Sequence, residues 1–174
     1  PLPRDFLDQV LAAAEVAVGG GGADAGETVR VESHAGDFLA WAAFSPTSRI
    51  RARAWSFDEQ QRIDAAFLGT LIERAVRTRE LFDIRSDGLR LIHGESDGLP
   101  GLIVDRYADT LVAQFTSCGV ERWKDVIADA LLRTTGLSRL YERSDASART
   151  LEGLQEATGW LRGDGPTELG IREH

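Results

Sequence analysis

The sequence contains a single cysteine, Cys118, so it can form neither an internal disulfide framework nor a zinc site built from several cysteines. It also lacks any apolar run near the roughly 20 residues that a membrane-spanning helix needs. No basic region followed by an apolar stretch and a small-residue cleavage site, as in a secretory signal, is present near the first residues. With 43% hydrophobic residues among 174, the chain can still bury a globular core. We therefore expect a cytoplasmic protein whose folding depends on packing alone.

Positive charge is scarce and is concentrated in one stretch. The formal net charge is −8, which argues against a surface that binds nucleic acid everywhere, because Lys and Arg supply the affinity for phosphate. Residues 47–80 nevertheless carry seven arginines against five acidic residues, a local net charge of +2. A site for a polyanion is therefore expected in this middle stretch.

The first part of the chain predicts a small β-domain. Residues 1–25 are interpreted as a flexible lead with a marginal helix over 3–16, which ends in the glycines at 19–22. Residues 26–57 show the alternation of half-buried strands, with turn residues between the first two segments. The predicted strands are Glu27 to Glu32, Phe38 to Phe44 and Arg49 to Trp55.

The second part predicts a helix and then a mixed domain. Asp64 suits the N-cap of a helix whose apolar stripe runs from Phe67 to Val76, inside a connecting segment at 58–86. Residues 87–174 predict strands around one clear helix, which stops at Gly136. The strands expected there are Leu89 to Gly94, Leu102 to Tyr107, Thr110 to Thr116, Ser138 to Arg143 and Glu168 to Glu173. This order favours an α+β fold with the helix on one face of a sheet.

Three arginines alternate along the third predicted strand and form what we call the arginine row. Arg49, Arg51 and Arg53 share one face, and apolar residues occupy the other. Side chains at this spacing project about 6.5 to 7 Å apart, close to the spacing of successive phosphates in a nucleic-acid strand. The alternative is a solvated outer face, but three like charges in a row repel unless a counter-charge is near. We interpret the row as an RNA-binding surface.

The segment from His93 to Gly101 is the most unusual one in the sequence. It places a histidine and two carboxylates among three glycines and a proline, between two predicted strands. Glu95 and Asp97 would suit an acid and base pair, with His93 orienting a proton or a metal. We favour the alternative, a tight connection whose polar side chains bond the backbone. The residues expected to shape this docking loop or meet another domain are His93, Gly94, Glu95, Asp97, Gly98, Pro100, Gly101, Asp105 and Arg106.

Neither a metal site nor a catalytic residue is expected in this chain. The other histidines, His34 and His174, lie far from the docking loop in sequence. Cys118 has no basic neighbour closer than Arg122 that would lower its pKa and make it a nucleophile. Asp105 and Arg106, at the end of a strand, favour a local structural pair over a phosphate site.

Three strings give the sequence a resemblance to a known family. They are Ala43-Phe44-Ser45-Pro46 with Ser48 to Arg53, then His93 to Tyr107, then Tyr141 to Asp145 followed by Glu152-Gly153-Leu154. In this order they resemble the 23S ribosomal RNA cytosine-5 methyltransferases of the large-subunit methyltransferase I group. The second string is long and unusual enough to be specific.

The resemblance implies three domains. They are an N-terminal PUA domain, a central domain running strand-strand-helix-strand-strand, and a C-terminal Rossmann-like domain that transfers a methyl group from S-adenosylmethionine to a cytosine of ribosomal RNA. The catalytic domain is not recognisable in this chain, so no catalytic or cofactor-binding residue is carried over. The chain is therefore expected to be inactive and without cofactor by itself. Its expected partners are ribosomal RNA and the catalytic domain of the whole protein.

Other interpretations stay open. One is a stand-alone adaptor that binds RNA or protein, and another is a small hydrolase that uses Glu95, Asp97 and His93. A homodimer is also left open. One departure from the family concerns residues 1–22, which lack the basic segment with a His-Pro-Trp string that usually opens its PUA domain.

Overall fold

The computed structural model describes residues 22–82 and 86–166, which form two β-sheets with helices. The first sheet contains β1 (Thr28–Glu32), β2 (Phe38–Phe44) and β3 (Ala52–Ser56), paired antiparallel in that order. The second contains β4 (Gly88–His93), β5 (Leu102–Tyr107), β6 (Thr110–Phe115), β7 (Arg139–Ser144) and β8 (Ala157–Arg162). The helix predicted at 3–16 lies outside the described residues.

The first sheet forms where the alternation predicts it. Val31, Ala40 and Ala42 are buried together, and Ala52 and Ala54 pack against them. The predicted hairpin of β1 and β2 is confirmed. The third strand begins at Ala52 rather than at the predicted position 49, because the chain bends over residues 46–50.

Helix α1 (Ala65–Glu80) begins at the predicted N-cap. Asp64 accepts hydrogen bonds from Ala66 N at 3.1 Å and Phe67 N at 3.0 Å, which satisfies two of the free amides of the first turn. The buried stripe consists of Leu68, Leu71, Ile72, Ala75 and Val76, all within the predicted one. The same stripe belongs to the main core of the second sheet. The segment interpreted as a connection is therefore part of the second domain's packing.

The second sheet combines antiparallel pairs with one parallel pair. β6 and β7 are parallel, and every other neighbouring pair is antiparallel. Because parallel neighbours need a crossover, the chain passes through α2 (Cys118–Arg122) and α3 (Lys124–Thr135) between them. Helix α3 ends at Gly136, which has a left-handed φ of 70°, as predicted. A short helix α4 (Ala148–Leu151) precedes β8.

The last described strand lies earlier in the chain than the sequence predicts. β8 occupies part of the stretch interpreted as a polar connection, whereas the predicted strand at 168–173 lies outside the described residues. Pairing with β7 and a ring contact between Tyr141 and Trp160 hold β8 in place. Its apolar alternation is weak because Gly159 interrupts it and Thr158 is exposed.

Helices cover one face of the second sheet. Val104, Leu111 and Leu140 are fully buried in the core with α1 and α3, whereas the alternate positions Val112 and Trp160 are only partly buried. The predicted α+β class is confirmed, and three strands precede the helical crossover, as the residue pattern predicts, where the resemblance implies two. Within the described ranges, no helix combines the length and apolarity required to cross a bilayer.

Candidate nucleic-acid interface

The arginine row lies where β2 turns into β3. Ser45 N donates to Arg51 O at 2.8 Å, which closes the bends at 46–50. Arg49 is exposed within these bends, and Arg51 is exposed just before β3. The Arg51 guanidinium lies over the Phe44 ring, 5.2 Å from its centroid. These two arginines therefore present charge to solvent from a tight connection, not from a strand.

Arg53 faces the second domain. Its guanidinium lies 3.1 Å from Glu152 and 3.3 Å from Glu95, and only 22% of its side chain is exposed. Trp55, on the same side of β3, is 6% exposed. The prediction that all three arginines share one face of a strand is therefore wrong, because Arg49 precedes the strand and Arg53 is paired with Glu152 and Glu95 between the sheets.

Glu152 joins the two domains. Its side chain is 2% exposed, yet its carboxylate accepts hydrogen bonds from Ser45 Oγ at 2.5 Å, Arg53 Nη2 at 3.1 Å and Cys118 N at 3.3 Å. Cys118 Sγ donates in turn to the Glu152 carbonyl oxygen at 3.3 Å. A single buried carboxylate thus connects β2 and β3 to the first residue of α2.

The ionisation of this cluster follows from its contacts. Burial raises the pKa of Glu152, but hydrogen bonds from Ser45, Ser48 and Arg53 outweigh burial, and the pKa lies below its ordinary value of 4.5. Burial, with Glu152 nearby, raises the pKa of the Cys118 thiol. At neutral pH the cluster therefore holds a carboxylate and a neutral thiol, which does not suit a nucleophile.

A second ion pair, formed by a buried arginine, positions the segment that carries Glu152. Arg149 on α4 is 3% exposed and contacts Glu121 at 2.7 Å. It also donates to the carbonyl oxygens of Phe115 and Gln155. The short helix α4 is therefore tied to β6 and α2 immediately before Glu152.

Two glycines allow the domains to approach closely. A Cβ at Gly119 would lie 2.5 Å from the Cβ of Ala43 and 2.8 Å from Cζ2 of Trp55. A Cβ at Gly153 would lie 2.5 Å from Thr47 Oγ1. Both distances are too short for a side chain, so glycine at these positions is a requirement of the interface.

Asp97 ties the docking loop to α1. Arg79 donates to both of its carboxylate oxygens at 2.7 Å, and His93 N donates to Oδ2 at 2.7 Å. The Asp97 side chain is 9% exposed, whereas that of Glu95 is 67% exposed and faces Arg53. Each carboxylate is engaged by a different arginine, which disfavours the acid and base pair of a hydrolase.

Glycine and proline shape the rest of the docking loop. The turn at Gly94–Asp97 ends at Gly98, which has a left-handed φ of 74°. Gly101 has a φ of 84° and lies so close to Ser117 that a Cβ there would be 2.6 Å from the serine Cβ. Ser117 Oγ donates to Pro100 O at 2.9 Å. These contacts make the loop a compact link between β4 and β5.

Asp105 pairs across the sheet rather than with its chain neighbour. Arg90 donates to it at 2.8 and 3.0 Å, and Arg106 lies in register between Leu89 and Leu111. The prediction of a local pair between Asp105 and Arg106 is therefore wrong. No group of three or more His, Cys, Asp or Glu side chains in the described ranges is arranged to hold a metal ion.

The turn between β6 and α2 does not fit an S-adenosylmethionine pocket. A cofactor of this class lies at a glycine-rich strand-to-helix turn in a parallel sheet. Here Cys118 N is bonded to Glu152, and Ala43 and Trp55 fill the space beside Gly119. The residues at this turn therefore serve contact with the first sheet.

Curated relatives that match most of this chain include three that are named ribosomal RNA large subunit methyltransferase I. Those from Aliivibrio fischeri strain MJ11 and Shewanella frigidimarina are 45% identical over 155 and 152 residues, and that from Vibrio vulnificus strain CMCP6 is 50% identical over 151. The matches cover 88%, 86% and 85% of this chain, but 39%, 38% and 38% of the relatives. The chain thus spans about two fifths of their length. The resemblance predicted from the three strings is confirmed.

A family model matches the first domain, and two solved structures share the fold. The model, described as a PUA-like domain, matches residues 11–57, which confirms the PUA-like first domain and extends the match ahead of the predicted boundary at 26. One structure, assigned as a SAM-dependent methyltransferase from Streptococcus mutans, has a TM-score of 0.71 and covers 94% of this chain and 42% of that chain. The other, a methyltransferase complexed with SAH, has a TM-score of 0.72 with the same coverages. Both are 17% identical and show the fold alone.

Proposed function

We propose, from its homology to ribosomal RNA large subunit methyltransferase I, that this chain is the RNA-recognition and central part of a cytoplasmic S-adenosylmethionine-dependent enzyme that methylates a cytosine of 23S ribosomal RNA. The observation that carries the proposal is the 50% identity over 151 residues to a relative of that name. The PUA-like match at residues 11–57 supports RNA recognition by the first domain. The methyl transfer itself belongs to the catalytic domain of the whole protein.

The residues of this chain contribute binding and geometry rather than chemistry. The strand-to-helix turn is closed by Glu152 and Trp55, and the Cys118 thiol is buried against a carboxylate. The carboxylates of the docking loop are held by Arg79 and Arg53. By itself, therefore, this segment holds no cofactor and transfers no methyl group.

We assign the phosphate contacts chiefly to Arg49 and Arg51. Both are exposed on one tight connection, so an RNA strand can approach them. Stacking on Phe44 orients the Arg51 guanidinium. Arg53 is excluded from this set because its charge is offset by Glu152 and Glu95, and its ion pairs hold the start of β3 against the second domain. Such contacts position an RNA without reading its sequence.

The test is a salt titration of RNA binding by the Arg49→Gln/Arg51→Gln double variant. Loss of two phosphate contacts should flatten the slope of log affinity against log salt by about 1.4 to 1.8 units, by a similar amount for RNAs of different sequence. Arg62→Gln/Arg77→Gln is the matched control, because these side chains are 87% and 73% exposed in the same basic stretch. A slope that is equal for both double variants would contradict the assignment.

A further inference from the structure

The open face of the second sheet holds a groove to which no role has been assigned above. Its volume is about 520 Å³, and side chains of β5 to β8 line it. The residues that matter for its chemistry are Asp105, Gln114, Tyr141, Arg143, Thr158 and Trp160. The volume lies within the range typical of small-molecule sites, about 300 to 1,000 Å³.

Two aromatic rings form part of the groove wall. Tyr141 and Trp160 lie on the adjacent strands β7 and β8, with ring centroids 5.3 Å apart and planes at 84°. Both residues are only partly buried. In an edge-to-face pair the edge of one ring covers one face of the other, so the remaining ring faces of the pair are left for a planar ligand.

The charges of the groove are already paired. Arg90 binds Asp105 at 2.8 Å, and Arg143 lies 3.5 Å from Asp145. A groove with balanced charges has little attraction for a phosphate group. Gln114 adds an amide that both donates and accepts hydrogen bonds. An aromatic wall with neutral polar groups suits a nucleobase, which has a π-face and a polar edge.

The composition of the groove is less suited to a protein partner. The core of a protein interface is rich in large apolar side chains. The exposed large hydrophobic residues of the described chain lie elsewhere, at Ile50, Phe57, Leu81, Phe82 and Leu151.

The groove lies on the same sheet face as a pocket that reaches the arginine row. This smaller pocket is lined by Arg53, Ile103 and Thr116, among others. Ile103 and Asp105 alternate along β5, so they share a face and lie about 6.5 to 7 Å apart. Arg51 is two residues from Arg53. Through Arg53 and Ile103 the smaller pocket thus connects the segment that carries Arg51 with the sheet face that carries the groove.

We propose that this groove binds an unpaired base of a single-stranded RNA whose phosphates contact Arg49 and Arg51. The inference rests on the proposed function and adds a base-binding site in the second domain. Trp160 supplies the stacking surface, and Gln114 and Thr158 contact the base edge. The phosphate contacts set the position of the RNA strand. Binding in the groove requires that one base of this RNA strand is unstacked from its neighbours.

The experiment measures binding of the 174-residue chain to a single-stranded RNA of about ten nucleotides by fluorescence anisotropy. A second probe has the same backbone with abasic central positions. Trp160→Ala should weaken binding of the intact RNA by about tenfold or more, and Trp160→Phe should restore it. Phe82→Ala, which removes an aromatic ring that is 60% exposed outside the groove, is the matched control and should have no effect. The salt slope should not change with Trp160→Ala, because stacking releases no counterions.

The abasic probe provides the decisive comparison. It should bind the wild-type chain more weakly than intact RNA does, and Trp160→Ala should weaken it no further. If the wild-type chain binds both probes equally, the base-binding site is overturned, whereas RNA recognition by the arginines stands. The groove would then be assigned to contact with another domain. If neither probe binds at low salt, RNA recognition and the base site both fail. Circular dichroism checks the folding of each variant. If Trp160→Ala does not fold, the comparison of the intact and abasic probes on the wild-type chain still decides.

Discussion

Ser45 and Glu152, which are 107 positions apart in the chain, form a hydrogen bond of 2.5 Å in the interface between the two sheets. Arg53 approaches the same carboxylate from β3. Because the carboxylate is buried and ionised, the orientation of the PUA-like sheet on the second domain depends on it. RNA bound at Arg49 and Arg51 would consequently have a defined position relative to the groove.

Replacement of Glu152 should weaken the interface through loss of charge. Glu152→Gln keeps the side-chain shape but leaves the partly buried Arg53 guanidinium without its main counter-charge. We expect the free energy of unfolding to fall by about 2 kcal/mol, measured by urea denaturation. Glu156→Gln, at an exposed position, is the control and should change it by less than about 0.5 kcal/mol. Equal losses in both variants would argue against the role of Glu152.

Stability should decrease in acid because of two carboxylates that accept hydrogen bonds from basic side chains. Burial raises the pKa of Glu121, but hydrogen bonds from Arg149 and Lys124 outweigh burial, and the pKa of Glu121, like that of Glu152, lies below 4.5. Their stabilisation is complete above this ordinary value and is lost as the pH falls through the lower pKa of the folded state. Urea denaturation across a pH series should show a decline below about pH 4.5 that is shallower in Glu152→Gln. Parallel curves for wild type and variant would contradict this assignment.

Alanine should have opposite effects at two helical glycines. Gly119→Ala should destabilise by about 1 kcal/mol or more, because its Cβ would lie 2.5 Å from that of Ala43. Gly69→Ala on α1 should stabilise by up to about 1 kcal/mol, because the nearest atom, Arg133 Nη2, is 3.7 Å away and alanine favours a helix. Thermal unfolding monitored by circular dichroism measures both. Stabilisation by both substitutions would show that the domains do not meet closely at Gly119.

The two carboxylates of the docking loop should differ in their contribution to stability. Asp97→Asn removes the negative charge of a bidentate pair with Arg79, at a side chain that is 9% exposed, and should cost about 2 kcal/mol of unfolding free energy. Glu95→Gln, at a side chain that is 67% exposed, should cost less than about 0.5 kcal/mol. Denaturant titrations of both variants test this. A larger effect of Glu95 would mean that this carboxylate has a structural role beyond its pair with Arg53.

The chain should not bind S-adenosylmethionine appreciably. The strand-to-helix turn after β6 is closed by Glu152, Ala43 and Trp55, so it offers no space for the cofactor. Isothermal titration calorimetry should show no saturable heat at micromolar cofactor, and RNA added with the cofactor should remain unmethylated. Saturable micromolar binding would overturn the interpretation of this chain as a purely RNA-binding part.

Local periodicity determined most elements of this fold. The stripe of α1, its N-cap Asp64 and the left-handed stop at Gly136 lie as predicted, because each depends on neighbours within a turn or two. The strings around Ser45, the docking loop and Glu152 also identified the relatives. The residues of the interface were therefore recognised in the sequence as parts of a family motif, but the sequence did not predict that they contact one another.

Only the tertiary structure decided which side of β3 meets solvent and which charges are paired. Parity placed Arg53 with Arg49 and Arg51, yet the second domain covers the side that carries Arg53 and Trp55. Strand β8 shows little periodicity, and its place depends on contacts with distant residues: the pairing with β7, the ring contact of Trp160 and the ion pairs of Arg162 with α3. Partners such as Arg79 for Asp97 or Ser45 for Glu152 come from distant positions, and their burial depends on packing that a local pattern does not encode.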